Sequence, residues 1–251
     1  CLVGSEMCIR DRNDVVPYRT TGGLDTVGVR CPNHPVTLAV IRAAGVPIAA
    51  PSGNTSGRPS PTTAADMVED MDGKIDGIFD GGACSVGVES TIIDLTCEPP
   101  RLLRAGGLPL EELQRVLGTV LVDRCITQPV ADGEHPRAPG MKYRHYAPKA
   151  PVTVVTGDGE KSADYIARHA QQGAGVICFS EYRVLFPGRV IHDLGPEGDK
   201  SEQARRVFDA LREFDVTGVP EIYAQCPDDA GLGLAIGNRL KKAAGFHVVE
   251  V

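Results

Sequence analysis

Between residues 126 and 150 the chain carries four prolines, at positions 129, 136, 139 and 148, and no hydrophobic period of helix or strand. Proline fixes φ and removes a backbone donor, so such a stretch runs through neither a sheet nor a helix interior. It divides the 251 residues into two series, each of which has to build its own elements. On both sides strand and helix signals alternate. Upstream, residues 27–31 predict a strand, 35–44 a helix stopped by Gly45, and 46–50 a buried strand of small apolar residues. A second helix lies between Gly73 and the Thr63/Asp66 pair, which has capping-box spacing. Strands follow at 76–79, 90–95 and 101–104, then a helix at 110–117 ended by Gly118. Downstream, strands at 152–155, 175–179, 189–192, 221–224 and 247–251 alternate with helices at 161–172, 201–214 and 232–244. This alternation predicts an α/β fold with mostly parallel sheets covered on both faces. Residues 1–12, CLVGSEMCIRDR, show neither period and read as a non-native lead-in. The expected organisation is then a first α/β unit over 13–125, an ordered basic linker over 126–150, and a second α/β unit over 151–251.

Composition narrows the functional classes. A formal charge of −7, no tryptophan, and only six Phe and six Tyr exclude a wholesale nucleic-acid coat or a base-stacking platform. No apolar run approaches the roughly 20 residues of a bilayer span. The eight cysteines, at 1, 8, 31, 84, 97, 125, 178 and 226, form no Cys-x-x-Cys pair and no Cys/His cluster. Free thiols of a cytoplasmic protein are the expectation.

Three features suggest a binding site. Residues 51–61 (Pro51-Ser52-Gly53-Asn54-Thr55-Ser56-Gly57-Arg58-Pro59-Ser60-Pro61) leave the end of the predicted strand 46–50 and feed a helix start. Open α/β sheets place ligands there, and helix-start N–H groups favour anions. The loop lacks the Gly-Lys-Ser/Thr ending of a P-loop, and it also suits an ordinary polar turn before a capped helix. Residues 135–150 reverse the local charge, with Arg137, Lys142, Arg144 and Lys149, His135 and His145, no acidic residue, and Tyr143 and Tyr146 interleaved. Such a segment can close over a nucleotide, or simply be a solvated linker. Arg30 and Arg104 end predicted strands, where arginine can hold a carboxylate or phosphate in a two-pronged grip. Ser90-Thr91 is a further polar turn entering a strand. The six histidines have no metal-ligand spacing, and no nucleophile–base–acid triad can be assigned.

Taken in order, these segments resemble a known family. Arg30-Cys31-Pro32-Asn33-His34-Pro35, Pro47-Ile48-Ala49-Ala50 running into Pro51-Ser52-Gly53-Asn54-Thr55-Ser56-Gly57, Gly87-Val88-Glu89-Ser90-Thr91 and Leu103-Arg104-Ala105-Gly106-Gly107 are similar to the YrdC-like threonylcarbamoyl-AMP synthases. Pro139-Gly140-Met141-Lys142-Tyr143-Arg144-His145-Tyr146-Ala147-Pro148 resembles the joint of the long, two-domain branch. Gly231-Leu232-Gly233-Leu234-Ala235-Ile236-Gly237-Asn238-Arg239-Leu240 resembles the end of its second domain. The resemblance implies an incomplete YrdC-like twisted α/β sheet domain followed by a smaller Rossmann-like one.

It further implies formation of threonylcarbamoyl-adenylate and pyrophosphate from L-threonine, bicarbonate and ATP, with Mg2+ expected on the phosphates. Arg30, Ala50 and Ser90 would hold threonine; Ser52, Asn54, Ser60, Arg104 and Tyr143 would hold ATP. No residue is expected to act as a covalent catalyst. A downstream transferase would place the threonylcarbamoyl group on an adenosine beside a tRNA anticodon. Weak contact of 135–150 with tRNA, and no membrane partner, complete the expectation. Family members carry a preceding segment with further ATP- and threonine-binding residues. Its absence here implies a fragment with impaired activity, poor solubility and an uncovered part of the first sheet. A non-catalytic RNA-binding YrdC-like module, and a carbamoyl-adenylate-forming domain of a hydrogenase-maturation protein, are the competing readings.

Overall fold

A computed structural model of the chain describes residues 5–55, 57–128 and 146–251. The first series forms β1 (Ser5–Asp11), β2 (Thr26–Pro32), α1 (Pro35–Ala44), α2 (Ala64–Met71), β3 (Ile92–Asp94), β4 (Arg101–Arg104), α3 (Leu110–Leu117) and β5 (Leu121–Val122). The second forms β6 (Val152–Thr156), α4 (Gly159–His169), β7 (Gly175–Cys178), β8 (Val190–Asp193), α5 (Lys200–Thr217), β9 (Ile222–Gln225), α6 (Gly233–Ala243) and β10 (Val248–Glu250). Each series closes its own five-stranded sheet, ordered β2-β1-β3-β4-β5 and β10-β6-β9-β7-β8.

The second sheet is parallel throughout, as strand–helix alternation requires. Helix α4 covers one face, where Ala163, Ile166 and Ala170 pack with Val155, Val176, Cys178 and Phe186. Helices α5 and α6 cover the other. Their buried residues join one continuous core with Val88, Ile92, Ile93, Leu102, Leu103 and Ile126 of the first unit. Nine of the eleven residues of α6 are buried. A helix buried nearly all round lies between two layers rather than on a surface.

The first sheet departs from expectation. It is mixed: β1/β2 and β3/β4 are antiparallel, whereas β1/β3 and β4/β5 are parallel. Residues 5–11, inside the stretch without visible period, supply the strand between β2 and β3, with Met7 and Ile9 buried on one face. Two apolar residues are too few to show a period, but a strand paired on both sides needs little more. The predicted strands at 46–50 and 76–79 do not form. Both segments run outside any ladder and leave Val46, Ile48, Ile78 and Phe79 exposed.

Helices whose signals are local form as read. Helix α1 starts with proline in its first turn and ends at Gly45 with φ 63°. The Thr63 hydroxyl accepts from the Asp66 N–H, and Asp66 returns the bond to the Thr63 N–H, a complete capping box on α2. All seven cysteines among the described residues are free thiols. No helix among them is long and apolar enough to cross a membrane.

Candidate functional site

The chain doubles back on itself at β3 and β4, and this brings two polar turns together. The hydrogen bond from the Gly107 N–H to the Glu89 carbonyl, 3.1 Å, ties the turn before β3 to the turn after β4. Backbones touch here. A Cβ on Gly106 would lie 2.3 Å from the Glu89 carbonyl oxygen and 2.4 Å from the Thr91 nitrogen, so only glycine fits. From β4, Arg104 donates through Nε to the Ser90 carbonyl at 3.0 Å and through Nη2 to the Ser90 hydroxyl at 3.2 Å. The 51–61 loop arrives from the other side, where the Ser60 hydroxyl donates to Glu89 Oε1 at 3.1 Å. Ser60, Glu89, Ser90 and Arg104 are all buried.

Charge in this cluster is unbalanced. Glu89 is the acceptor for Arg239 of α6, whose Nε lies 2.6 Å from Glu89 Oε2. Burial alone would raise the Glu89 carboxyl. The fields of Arg239 and Arg104, with hydrogen bonds from Tyr146 and Arg239, overcome that and hold it down to about 2. Arg104 is pushed down by burial and by Arg239, an effect that Glu89 partly offsets. Arg30, on β2, is also lowered, first by burial and then by Arg104, again with Glu89 opposing. Three guanidinium groups therefore feel one carboxylate. An anion from outside would complete the arrangement.

Arg30 shows where such an anion would go. Among the described residues its Nη2 reaches the Met7 sulfur, at 3.8 Å, and its Nε and Nη1 are buried with no hydrogen-bond partner. Each buried, unsatisfied donor costs about 1–3 kcal/mol, so a ligand oxygen accepting from both recovers that cost.

Of the residues singled out in the sequence, Ser60, Ser90 and Arg104 form this cluster, and Arg30 shares its field. Ala50 and Ser52 are exposed, on the segment that forms no strand. The Asn54 amide is spent inside its own loop, donating to the Thr55 and Arg58 carbonyls. Tyr143 and most of the basic stretch lie outside the described residues. A cavity of about 520 Å³ opens between α1, α2 and residues 77–85, lined by His34, Thr37, Val40, Met67 and Phe79 among others. It borders the loop at Thr62 and Thr63 but holds none of the clustered cations.

Sequence reasoning did not single out Glu89 or Arg239 as members, and noted Tyr146 only beside Tyr143 in the basic segment. Glu89 and Arg239 are 150 positions apart, and neither has a local signal that announces a pair. Tyr146, buried against Phe208 with ring centroids 5.0 Å apart, turns at φ 64° to reach the same carboxylate.

Comparison with known proteins bears on the family of the chain. Residues 108–245 match the family model described as threonylcarbamoyl-AMP synthase, C-terminal domain, and residues 2–106 match one described as telomere recombination. The chain is 45% identical to a threonylcarbamoyl-AMP synthase of Pyrococcus abyssi over 96% of its own length and 70% of that protein's. To the Bacillus subtilis enzyme it is 42% identical, over 94% and 68%. The crystal structure of P. abyssi Sua5 complexed with L-threonine superposes with a TM-score of 0.87 at 44% identity, covering 98% of this chain and 72% of that one. With mixed α/β sheets in both units and close likeness along nearly its whole length, the chain belongs to the threonylcarbamoyl-AMP synthase family of nucleotidyltransferases.

Proposed function

We propose that the buried cluster holds L-threonine beside ATP, and that the reaction served is formation of threonylcarbamoyl-AMP and pyrophosphate from L-threonine, bicarbonate and ATP. One observation carries the reading: the two unpartnered donors of Arg30 in a field of three guanidinium groups and one carboxylate. A carboxylate is the ligand that satisfies two guanidinium donors at once. The threonine complex of the P. abyssi relative supports the same choice.

In this reading Arg30 and Ser90, with the backbone at Ala50, hold the amino acid. Ser60 and Arg104, joined by Ser52, Asn54 and Tyr143, hold the nucleotide. The threonine amine adds to the bicarbonate carbon with loss of water, giving a carbamate. A carbamate oxygen then attacks the α-phosphorus of ATP, the bond from that phosphorus to the β-phosphate oxygen breaks, and pyrophosphate departs. No protein nucleophile is required. The chain contributes positioning and cations that neutralise charge on the phosphates and the threonine carboxylate.

Among the described residues no group of three His, Cys, Asp or Glu side chains could hold a metal. Magnesium enters this scheme on the ATP phosphates, as part of the substrate. The product passes to a transferase that modifies an adenosine beside the tRNA anticodon, in the cytoplasm, with weak tRNA contact assigned to residues 135–150.

Calorimetric titration tests the scheme. L-Threonine and ATP are each expected to bind saturably, with one tightening the other. A salt-sensitive tRNA shift from a chain that binds neither small molecule would instead support the RNA-binding module.

A further inference from the structure

The second unit sends two helices into the first: α5 reaches the 51–61 loop and α2, and α6 reaches the turns that flank β3 and β4. From α5, Arg212 donates to the Pro59 carbonyl at 2.6 Å and to the buried Asp70 carboxylate at 2.8 Å, and the Thr62 hydroxyl donates to Asp209 at 2.6 Å. Ser60 therefore sits between two residues that α5 holds. From α6, Arg239 spends all three nitrogens within the protein: Nε on Glu89, Nη2 on the Ala105 carbonyl at 2.9 Å, and Nη1 on the Asn238 side chain at 2.8 Å. Asn238 is pinned in turn by donating to the Ile126 carbonyl at 2.7 Å. Arg239 is fully buried and touches no open surface.

We propose that Arg239 is a positioning residue for the nucleotide half of the site: by claiming the charge of Glu89 it aims that carboxylate at Ser60 and leaves Arg104 available for a phosphate. The inference rests on the assignment of Ser60 and Arg104 to ATP.

The electrostatic argument is one of competition. Glu89 lies among Arg239, Arg104 and Tyr146, and Ser60 bonds to its other oxygen. With Arg239 in place, one buried cation is matched to one buried anion. Without it, Glu89 remains buried and charged, and Arg104 and Arg30 are the guanidinium groups left in its field, Arg104 being the more deeply buried. Pairing of Arg104 with that carboxylate would draw it off the ligand and leave the triphosphate without its cation. The second unit thereby tunes the first unit's affinity for nucleotide without touching the nucleotide.

The prediction separates this role from plain support of the fold. In the full chain, Arg239→Met is expected to weaken ATP binding by about tenfold to a hundredfold, the loss of one charge-assisted contact, and threonine binding by no more than about threefold. Adding Glu89→Gln, which removes the stranded charge but keeps an acceptor for Ser60, is expected to restore ATP affinity to within about threefold of the parent. A merely structural arginine predicts the opposite, since the second substitution would add damage. Should Arg239→Met not fold, Arg239→Lys takes its place. There the loss of ATP affinity is expected to be smaller and again relieved by Glu89→Gln. Equal losses for ATP and threonine, or a folded double variant no better than the single, would overturn the proposal. An Arg104→Gln control keeps the failures apart: if it binds ATP like the parent, the site assignment is wrong, whatever Arg239 does.

Discussion

Two phenylalanines show how differently the halves of this molecule are built. Phe208, on α5, is fully buried and packs against Tyr146 with the rings tilted by 38°, where the two units meet. Phe79, in the first unit, is 81% exposed on a segment outside any ladder. The contrast extends to whole elements. α5 buries Ala204, Val207, Phe208, Leu211 and Phe214 along one face, whereas α1 buries none of its residues. The second unit and the junction share an extensive buried core, and the first unit's outer part is held mainly by local devices such as caps and turns. Stability and the candidate site both concentrate at the junction.

The sharpest way to break this comparison is to cut the same side chain in both places. Phe208→Ala is expected to cost about 3–5 kcal/mol in urea unfolding, and Phe79→Ala to stay within about 0.5 kcal/mol of the parent. Comparable losses would mean that the outer segment carries more of the fold than its exposure indicates.

Acid tests the junction next. Because the folded-state Glu89 carboxyl lies at about 2 against an ordinary 4.5, the unfolded chain binds its proton first. Its contribution, on the order of 3 kcal/mol for that span, is present above pH 4.5 and lost as pH falls toward 2. The stability gap between the parent and Glu89→Gln should therefore shrink over that window. A gap independent of pH would remove the ion pair from the account.

The smallest expected effect sharpens the first unit's side. Phe79→Asp is predicted to lower binding of a hydrophobic dye and slow aggregation, with the unfolding midpoint nearly unchanged, since the side chain it replaces is 81% exposed.

The same division explains what could be read from sequence. Helices α1 and α2 were legible because Pro35, Gly45 and the Thr63/Asp66 box act within one turn of chain. Segments 46–50 and 76–79 have strand-like composition, but a strand exists only where a neighbour offers a ladder, and no local pattern supplies that condition. For the opposite reason β1 was invisible: few apolar residues, yet partners on both sides. In the site, Arg30 and Arg104 stand out as strand-end arginines and Ser90 as part of a polar turn, whereas Ser60 and the ligand roles follow from the family resemblance. Glu89 and Arg239 carry no local signal beyond the longer motifs that contain them. Their pairing depends on how two distant units dock, which no spacing along the chain records.

The central claim is that this junction holds an amino acid and a nucleotide on separate cations. Its most direct test is a crossed titration of two variants, Arg30→Gln and Arg104→Gln, each with L-threonine and with ATP. Arg30→Gln is predicted to lose threonine affinity by about tenfold or more while keeping ATP, and Arg104→Gln to lose ATP by a similar factor while keeping threonine. Two variants that bind both ligands as the parent does would contradict it.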